Sequence, residues 1–181
     1  MRNFTPEDRV VLVDEYDNVI ALCPKTEAHK RGVLHRAVSV FIINSSGEWL
    51  IQRRANEKYH SPGLWSNTCC THPLPWESYH SAAMRALKKE MGMVSEVEYL
   101  FDFIYKAELE GDMIEHELDH LFFGVSDDNP IVNENEVSQY RYIKQDELKS
   151  SIEKHPEMYT EWFKLVFDRV SKELVTTDKK R

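Results

Sequence analysis

The segment NTCCTHP, which runs from Asn67 to Pro73, is the stretch around which the rest of the sequence is interpreted. It is bounded by a proline and precedes a helix-like run, so it is predicted to be extended. Side chains alternate along an extended chain, and therefore Cys70 and His72 point to one side while Cys69 points away. A lone cysteine or histidine is more often an ordinary core residue, so this pair is a candidate active site that other residues must support.

The run that follows has the pattern of an amphipathic helix over residues 78–91. Ser78 fits an N-cap, and Gly92 fits a C-terminal stop. Ala83, Leu87 and Met91 recur at every fourth position and form its apolar stripe. A helix is therefore predicted directly after the cysteine segment.

The composition excludes several classes of protein. With 31 acidic and 23 basic residues, the formal net charge is −8, and no basic stripe suits nucleic acid, so an anionic ligand must be held locally. Three cysteines cannot form a disulfide framework, and the segment from Met1 to Thr5 lacks the apolar core of a signal peptide. No apolar run approaches the roughly 18 residues that span a bilayer. We therefore expect a cytoplasmic protein with no nucleic-acid and no membrane partner.

Strand and helix patterns alternate along the chain. Strands are predicted at residues 10–13, 19–22, 37–43, 49–52, 97–106, 113–125 and 138–143, the first four as two hairpins. Further helices are predicted at 146–154 and 157–174, the second with an apolar face of Met158, Trp162, Leu165, Val166 and Val170. The polar segment 24–32 is assigned no element. These patterns predict the α/β (α+β) class with a mixed sheet, in one domain over residues 1–175 followed by a frayed tail at 176–181.

Glu115 and Glu117 lie two residues apart in a predicted strand, so both carboxylates share one face. Two like charges side by side favour a cation between them, although a solvated strand face is the more common arrangement. His29, His35 and His72 precede this part of the sheet and could supply further ligands. Imidazoles combined with carboxylates suit Mn²⁺ or Zn²⁺ better than Ca²⁺, which prefers oxygen alone.

Local positive charge is concentrated at Lys25, Arg53, Arg54 and Lys58. These residues could bind a diphosphate, although lysines in loops are often only solvated. Glu90 lies near the end of the predicted helix, where the macrodipole favours cations. A bound metal ion would explain a carboxylate in that place.

With these residues identified, the chain resembles the type I isopentenyl-diphosphate delta-isomerases, a branch of the Nudix superfamily. The matching residues are His29, His35, Arg54, Lys58, the segment 67–73, Glu77, Arg85, Glu90, Met91, Gly92, Tyr105, Glu115, Glu117 and Trp162. The superfamily's helix motif carries a glycine and a cluster of glutamates that hold Mg²⁺ for hydrolysis. Here Thr71 replaces the glycine, and Ala86 and Lys89 replace two glutamates, which disfavours hydrolysis and agrees with the isomerase branch.

The resemblance implies a Nudix-like mixed sheet sandwiched by helices, with an N-terminal hairpin added, and a specific site. The implied ligands of one Mn²⁺ or Zn²⁺ ion are His29, His35, His72, Glu115 and Glu117. Glu90 would hold a Mg²⁺ ion on the substrate diphosphate, beside Lys25, Arg54 and Lys58. The implied substrates are isopentenyl and dimethylallyl diphosphate.

Moving the double bond needs one proton delivered and another removed two carbons away, through a tertiary carbocation. By the resemblance, Cys70 provides one proton-transfer group and Glu117, hydrogen-bonded by Tyr105, provides the other. Trp162 would place its π face against the cation, although an aromatic residue on an amphipathic helix is equally often core.

Three alternatives remain at this stage. A Nudix hydrolase of nucleotide-like diphosphates would need the missing glutamates. A non-catalytic metal-binding module would use the same histidines and carboxylates for stability alone. A cysteine hydrolase using Cys70 and His72 is disfavoured, because two residues that point alike from one strand do not form a nucleophile and base pair with an orienting third group.

Overall fold

The structure is a computed structural model that describes Thr5 and residues 8–178. The described part contains the strands β1 (Arg9–Val13), β2 (Val19–Pro24), β3 (His35–Ile43), β4 (Glu48–Arg54), β5 (Trp65–Ser66), β6 (Cys69–Thr71), β7 (Glu98–Leu109), β8 (Met113–Val125) and β9 (Val137–Lys144). Its α-helices are α1 (Lys25–Arg31), α2 (Tyr79–Ala86), α3 (Gln145–Lys154) and α4 (Glu161–Asp178). A π-helical turn at Leu87–Met91 continues α2, and a 3-10 turn at Pro156–Met158 precedes α4.

Strand β3 lies at the centre of one mixed sheet. It pairs in antiparallel fashion with β1, β4 and β6, and in parallel with β8 along its whole length. The same part of β3 pairs with both β6 and β8, so these two strands lie on opposite sides of it. The two N-terminal hairpins predicted from the sequence are present as β1–β2 and β3–β4.

Helices cover both faces of the sheet. Val40 of β3 belongs to a core cluster with residues of α2, whereas Phe41 belongs to a second cluster with residues of α4. Because neighbouring side chains of a strand point to opposite faces, α2 and α4 lie on opposite sides of the sheet. The α+β class with a mixed sheet between helices is therefore confirmed.

The segment 24–32, to which the sequence assigned no element, contains the short helix α1. Gly32 ends it in the left-handed conformation, with a φ of 58°. A helix of 7 residues is too short to show an apolar repeat, which is why periodicity missed it. This helix carries Lys25 and His29 towards the sheet.

The last predicted helix needs a correction. It begins at Glu161 and not at 157, because Met158 ends a separate 3-10 turn. Met158 is 42% exposed and Leu165 is 56% exposed, so neither belongs to the buried stripe, which Trp162, Val166 and Val170 do form. Helix α4 runs to Asp178, and residues 179–181 of the expected tail lie outside the described residues.

The helix after the cysteine segment forms as predicted. Ser78 is its N-cap, and its Oγ accepts a hydrogen bond of 3.1 Å from the backbone N–H of Ser81. Gly92 closes it with a φ of 65°. Within the described residues, no helix combines the length and the apolar character needed to cross a membrane.

Candidate active site

A cavity of about 370 Å³ opens on the α4 side of the sheet, above the start of β3. Ten of the residues predicted for the site line it: Lys25, Arg54, Lys58, Cys70, His72, Glu90, Tyr105, Glu115, Glu117 and Trp162. His29 and His35 are fully buried and lie beneath it, against Glu117. Arg53 does not belong to this set, because its Nε donates a hydrogen bond of 2.7 Å to the carbonyl oxygen of Gly63.

Long-range strand pairing brings the site together. His35 lies opposite Glu117 across the β3–β8 pair, and Tyr105 lies opposite Glu117 across the β7–β8 pair. On the other side of β3, Cys70 lies opposite Ser39. Cys70 and Glu117 therefore reach the cavity from strands that flank β3 on opposite sides.

Three imidazole nitrogens converge on one oxygen of Glu117. Its Oε1 is 3.0 Å from His72 Nε2, 3.5 Å from His35 Nε2 and 4.0 Å from His29 Nε2. The ligand atoms of these four residues all lie within 4.8 Å of one another. Such a set matches the imidazole and carboxylate ligands of a divalent transition metal.

Backbone contacts orient the two deepest imidazoles. His29 Nδ1 donates to the carbonyl of Lys25 at 2.7 Å, and His35 Nδ1 donates to that of Val33 at 2.8 Å. Each ring therefore directs the lone pair of Nε2 into the cluster. Both Nε2 atoms are buried with no hydrogen-bond partner among the described residues. A bound cation would satisfy them, so the residues present fit a metal ion.

Glu115 occupies a slightly different position from the one expected. Its carboxylate groups with His29 and His60, and not with the four residues around Glu117. Tyr105 joins the two carboxylates, since its hydroxyl donates to Glu117 Oε2 at 2.6 Å and its oxygen lies 3.1 Å from Glu115 Oε2. Both glutamates are at least nine-tenths buried, which rules out the solvated strand face.

Burial and mutual repulsion control the charges of this cluster. Burial lowers the pKa of His72 to about 3, so the ring is neutral and can act as a ligand. Burial, reinforced by the charge of Glu117, raises the pKa of Glu115 well above its usual value. Burial alone would also raise the pKa of Glu117, but contacts with His35 and His72 hold that pKa well below the usual range. A divalent cation bound beside them would favour ionisation of both carboxylates.

The two cysteines have separate environments, as alternation predicted. Cys69 is fully buried in the core cluster on the α2 side, whereas Cys70 lines the cavity. Cys70 Sγ donates to Asn67 Oδ1 at 3.1 Å and lies 3.4 Å from Ser39 Oγ. Burial raises the pKa of the Cys70 thiol, so the sulfur keeps its proton. A protonated thiol suits proton transfer better than nucleophilic attack.

Trp162 combines a packing position with a place in the cavity wall. It belongs to the core cluster around α4 and is 4% exposed. Its Nε1 donates to Asn67 Oδ1 at 3.2 Å, the same oxygen that accepts from Cys70. The guanidinium of Arg54 lies 5.2 Å from the centre of its ring system. The indole thus already lies against one cation.

Basic residues line the wall near the π-helical turn. Lys58 forms an ion pair with Glu136, and Lys89 Nζ lies 3.5 Å from the other oxygen of Glu136. Glu90 is 7% exposed and accepts a hydrogen bond of 3.1 Å from Gln52 Nε2. Burial raises the pKa of Glu90 to about 7. This wall can bind an anion through its lysines and a cation through Glu90.

Several lining residues were missed by sequence reasoning: Ser39, Tyr59, His60, Lys89 and Glu136. The sequence presents Lys89 as a charged helix residue in the place of a glutamate, and Ser39 as part of a predicted strand. For His60, the sequence did offer a signal, because it lies between the basic loop and Pro62.

Comparison with known proteins defines the class first. The sequence profile of the family described as NUDIX domain matches residues 33–165. Among solved structures, DR0079 from Deinococcus radiodurans superposes with a TM-score of 0.75 at 21% identity, covering 89% of this chain and 98% of that one. A MutT protein from Methanosarcina mazei gives a TM-score of 0.65 at 18% identity, covering 77% and 94%. The fold is therefore that of a NUDIX-domain protein, and the chain belongs to that family.

Closer relatives define the branch. The chain is 46% identical over 164 residues to isopentenyl-diphosphate Delta-isomerase 2 of Aromatoleum aromaticum, covering 91% of this chain and 87% of that protein. It is 48% identical over 165 residues to isopentenyl-diphosphate Delta-isomerase of Pectobacterium atrosepticum, covering 91% and 92%. The chain belongs to the isopentenyl-diphosphate Delta-isomerase family. It is thus an enzyme of the isomerase branch, as the resemblance implied.

Proposed function

We propose that this protein interconverts isopentenyl diphosphate and dimethylallyl diphosphate in isoprenoid biosynthesis. The observation that carries this function is the pairing of Cys70 with the Glu117–Tyr105 couple across one cavity, on strands that flank β3. Isomerisation needs two proton-transfer groups on opposite sides of a substrate. A hydrolase would need the helix glutamates that Ala86 and Lys89 replace.

The chemistry balances with these groups alone. One group delivers a proton to the terminal carbon of the double bond, which leaves a tertiary carbocation on the neighbouring carbon. The other group removes a proton from the carbon on the far side, and the electrons of that bond form the internal double bond. The first group has then lost a proton and the second has gained one, and exchange with solvent restores both.

Cys70 and Glu117 are the residues to which we assign these two transfers. The thiol keeps its proton in the buried site, and Ser39 and Asn67 fix the position of its sulfur. Glu117 is held by the 2.6 Å hydrogen bond from Tyr105. Trp162 would face the carbocation, where the π electrons of a buried indole contribute about 0.5–2 kcal/mol or more.

The metal site is assigned to His29, His35, His72, Glu115 and Glu117, with Mn²⁺ or Zn²⁺ as the ion. The unpartnered Nε2 atoms of His29 and His35 support this assignment. A divalent ion bound there would supply positive charge that keeps both buried carboxylates ionised. Within the chain, the Tyr105 hydroxyl would then donate to an ionised Glu117 and hold it in place.

The diphosphate is assigned to the basic wall of the cavity. Lys25, Arg54 and Lys58 would neutralise its charge, and Arg54 is held in place by hydrogen bonds of 3.1 Å to the carbonyls of His60 and Ser61. Glu90 would bind the Mg²⁺ ion that accompanies the diphosphate. A reducing, cytoplasmic setting is part of this proposal, supported by the free thiols of Cys23, Cys69 and Cys70.

Incubation with isopentenyl diphosphate in deuterated water tests the reaction. We expect deuterated dimethylallyl diphosphate, detected by NMR and mass spectrometry, without release of phosphate. Release of phosphate or pyrophosphate would identify a hydrolase instead. Metal binding with neither product would identify a non-catalytic module.

A further inference from the structure

His60 lies in the loop after β4 with a constrained backbone. Arg54 donates hydrogen bonds to the carbonyls of both His60 and Ser61. Ser61 has a φ of 48°, a left-handed conformation that is uncommon for serine. Strain of this kind persists where the surrounding structure imposes it, often at functional sites. The neighbouring His60 side chain lines the cavity, where the residue is only 7% exposed.

The His60 ring lacks a good hydrogen bond for its Nδ1. That nitrogen lies 3.4 Å from Ser61 Oγ and 3.8 Å from Glu115 Oε1. The first distance is long for a hydrogen bond and the second is too long. The ring stacks on that of His29 with an angle of 27° between their planes and centroids 5.7 Å apart. A buried imidazole placed between a histidine and a carboxylate is an arrangement typical of a metal ligand.

The ligand atoms of His29, His60 and Glu115 lie within 4.8 Å of one another. His29 also belongs to the set formed with His35, His72 and Glu117, so it joins the two sets. Its Nδ1 is occupied by the carbonyl of Lys25, which leaves one lone pair, on Nε2. One lone pair can serve one ion, and therefore the two sets that share His29 describe one centre.

We propose that His60 is a further ligand of this metal centre, which then combines four imidazoles with two carboxylates. This assignment rests on the proposed metal site and extends it by a residue from a separate loop. Imidazole favours Zn²⁺, Co²⁺ and Ni²⁺ over Mn²⁺, whereas carboxylate favours the harder ions. His60 therefore shifts the preference of the site towards Zn²⁺ and Co²⁺. It also connects the metal to Arg54 through the backbone of the same loop.

A cobalt titration tests the assignment directly. Co²⁺ reports its ligands through its visible absorption, and competition with a chelator gives its dissociation constant. The His60→Phe variant keeps an aromatic ring of similar size against Tyr59 and Trp162 but removes the nitrogen. The matched control is His120→Phe, because His120 is another imidazole packed against a tyrosine, half-buried and stacked 3.5 Å from Tyr79 on the other face of β8.

We expect one Co²⁺ ion per chain in the wild-type protein. His60→Phe should weaken its binding about tenfold or more, the order of effect seen when support of a metal site is lost, and should change the absorption spectrum. The loss should be smaller for Mn²⁺ than for Co²⁺. His120→Phe should match the wild type in both measurements. If His60→Phe does not fold, as judged by circular dichroism, His60→Gln replaces it with the same expectations.

An unchanged dissociation constant and spectrum in a folded His60 variant would overturn the assignment. Two Co²⁺ ions per wild-type chain would also overturn it, because the two sets would then hold separate ions. The result is independent of turnover. A protein that shows the expected cobalt behaviour but does not isomerise isopentenyl diphosphate would refute the proposed function and leave the His60 ligand in place.

Discussion

The hydroxyl of Tyr105 donates a hydrogen bond of 2.6 Å to Oε2 of Glu117, the residue opposite it on the neighbouring strand. The remaining oxygen of Glu117 faces three imidazoles. One oxygen of the Glu117 carboxylate therefore accepts a hydrogen bond from a phenol, and the other faces a candidate metal centre. The position of the carboxylate depends on both.

The Tyr105→Phe substitution should therefore reduce turnover while preserving the fold. Loss of the hydroxyl releases one oxygen of Glu117, and we expect kcat to fall about tenfold to a hundredfold, less than the roughly 10²–10⁴-fold that a positioned acid–base group contributes, because Glu117 itself remains. The free energy of unfolding should decrease by about 1 kcal/mol, as for one buried hydrogen bond. Steady-state kinetics and thermal melts measure the two effects. Unchanged kcat would exclude Tyr105 from the reaction.

The two adjacent cysteines should respond differently to replacement by alanine. Cys70→Ala should abolish turnover, because the sulfur lies in the cavity beside Ser39 and Asn67. Cys69→Ala should keep turnover but lose about 1 kcal/mol of stability, because Cys69 is packed in the core. Equal loss of turnover in two folded variants would contradict this distinction.

Removal of the metal should loosen the fold as well as stop the reaction. The ligands come from α1, β3, β8 and the residue after β6, so the ion links segments that are distant in sequence. A ligand present at about 100 times its dissociation constant stabilises a protein by about 2.7 kcal/mol. We expect the chelated protein to melt roughly 5–10 °C lower, at about 2–4 °C per kcal/mol for this size. Scanning calorimetry before and after adding a chelator measures this. Identical melts with confirmed metal loss would argue against a structural contribution.

Glu90→Gln should weaken substrate binding without removing the tightly bound ion. The carboxylate lies in the basic wall and not in the imidazole cluster. We expect a higher Mg²⁺ requirement and weaker binding of inorganic pyrophosphate by calorimetry, with unchanged metal content by elemental analysis. Lys88→Gln serves as a control, because Lys88 is an exposed residue on the same helical turn. A Mg²⁺ dependence equal to that of the wild type would remove Glu90 from this role.

Two replacements of Trp162 distinguish a packing role of its indole from stabilisation of the carbocation. Trp162→Phe keeps a π face and should retain partial turnover, whereas Trp162→Leu should lose much more. Both variants lose the hydrogen bond to Asn67, so their melting temperatures should be similar. Kinetics and melts must use the same preparations. Equal losses of turnover that follow the loss of stability would mean that the indole is only a packing residue.

The sequence by itself determined the features that depend on neighbours along the chain. Alternation predicted that Cys70 and His72 share a side, that Cys69 points away, and that Glu115 and Glu117 share a face. The N-cap at Ser78 and the stop at Gly92 were visible for the same reason, because capping and a positive φ are local properties. The ordered motifs also identified the family, as the relatives confirm.

Only the tertiary structure decided which residues that are distant in sequence come into contact. The parallel pairing of β3 with β8 brings His35 to Glu117, and α1, which periodicity missed, brings His29 beside them. The loop of His60 joins the same cluster because Arg54 holds it and Ser61 adopts a left-handed backbone. Strand register and loop closure depend on contacts between residues that are distant in sequence, and a local pattern contains no information about which of those contacts form.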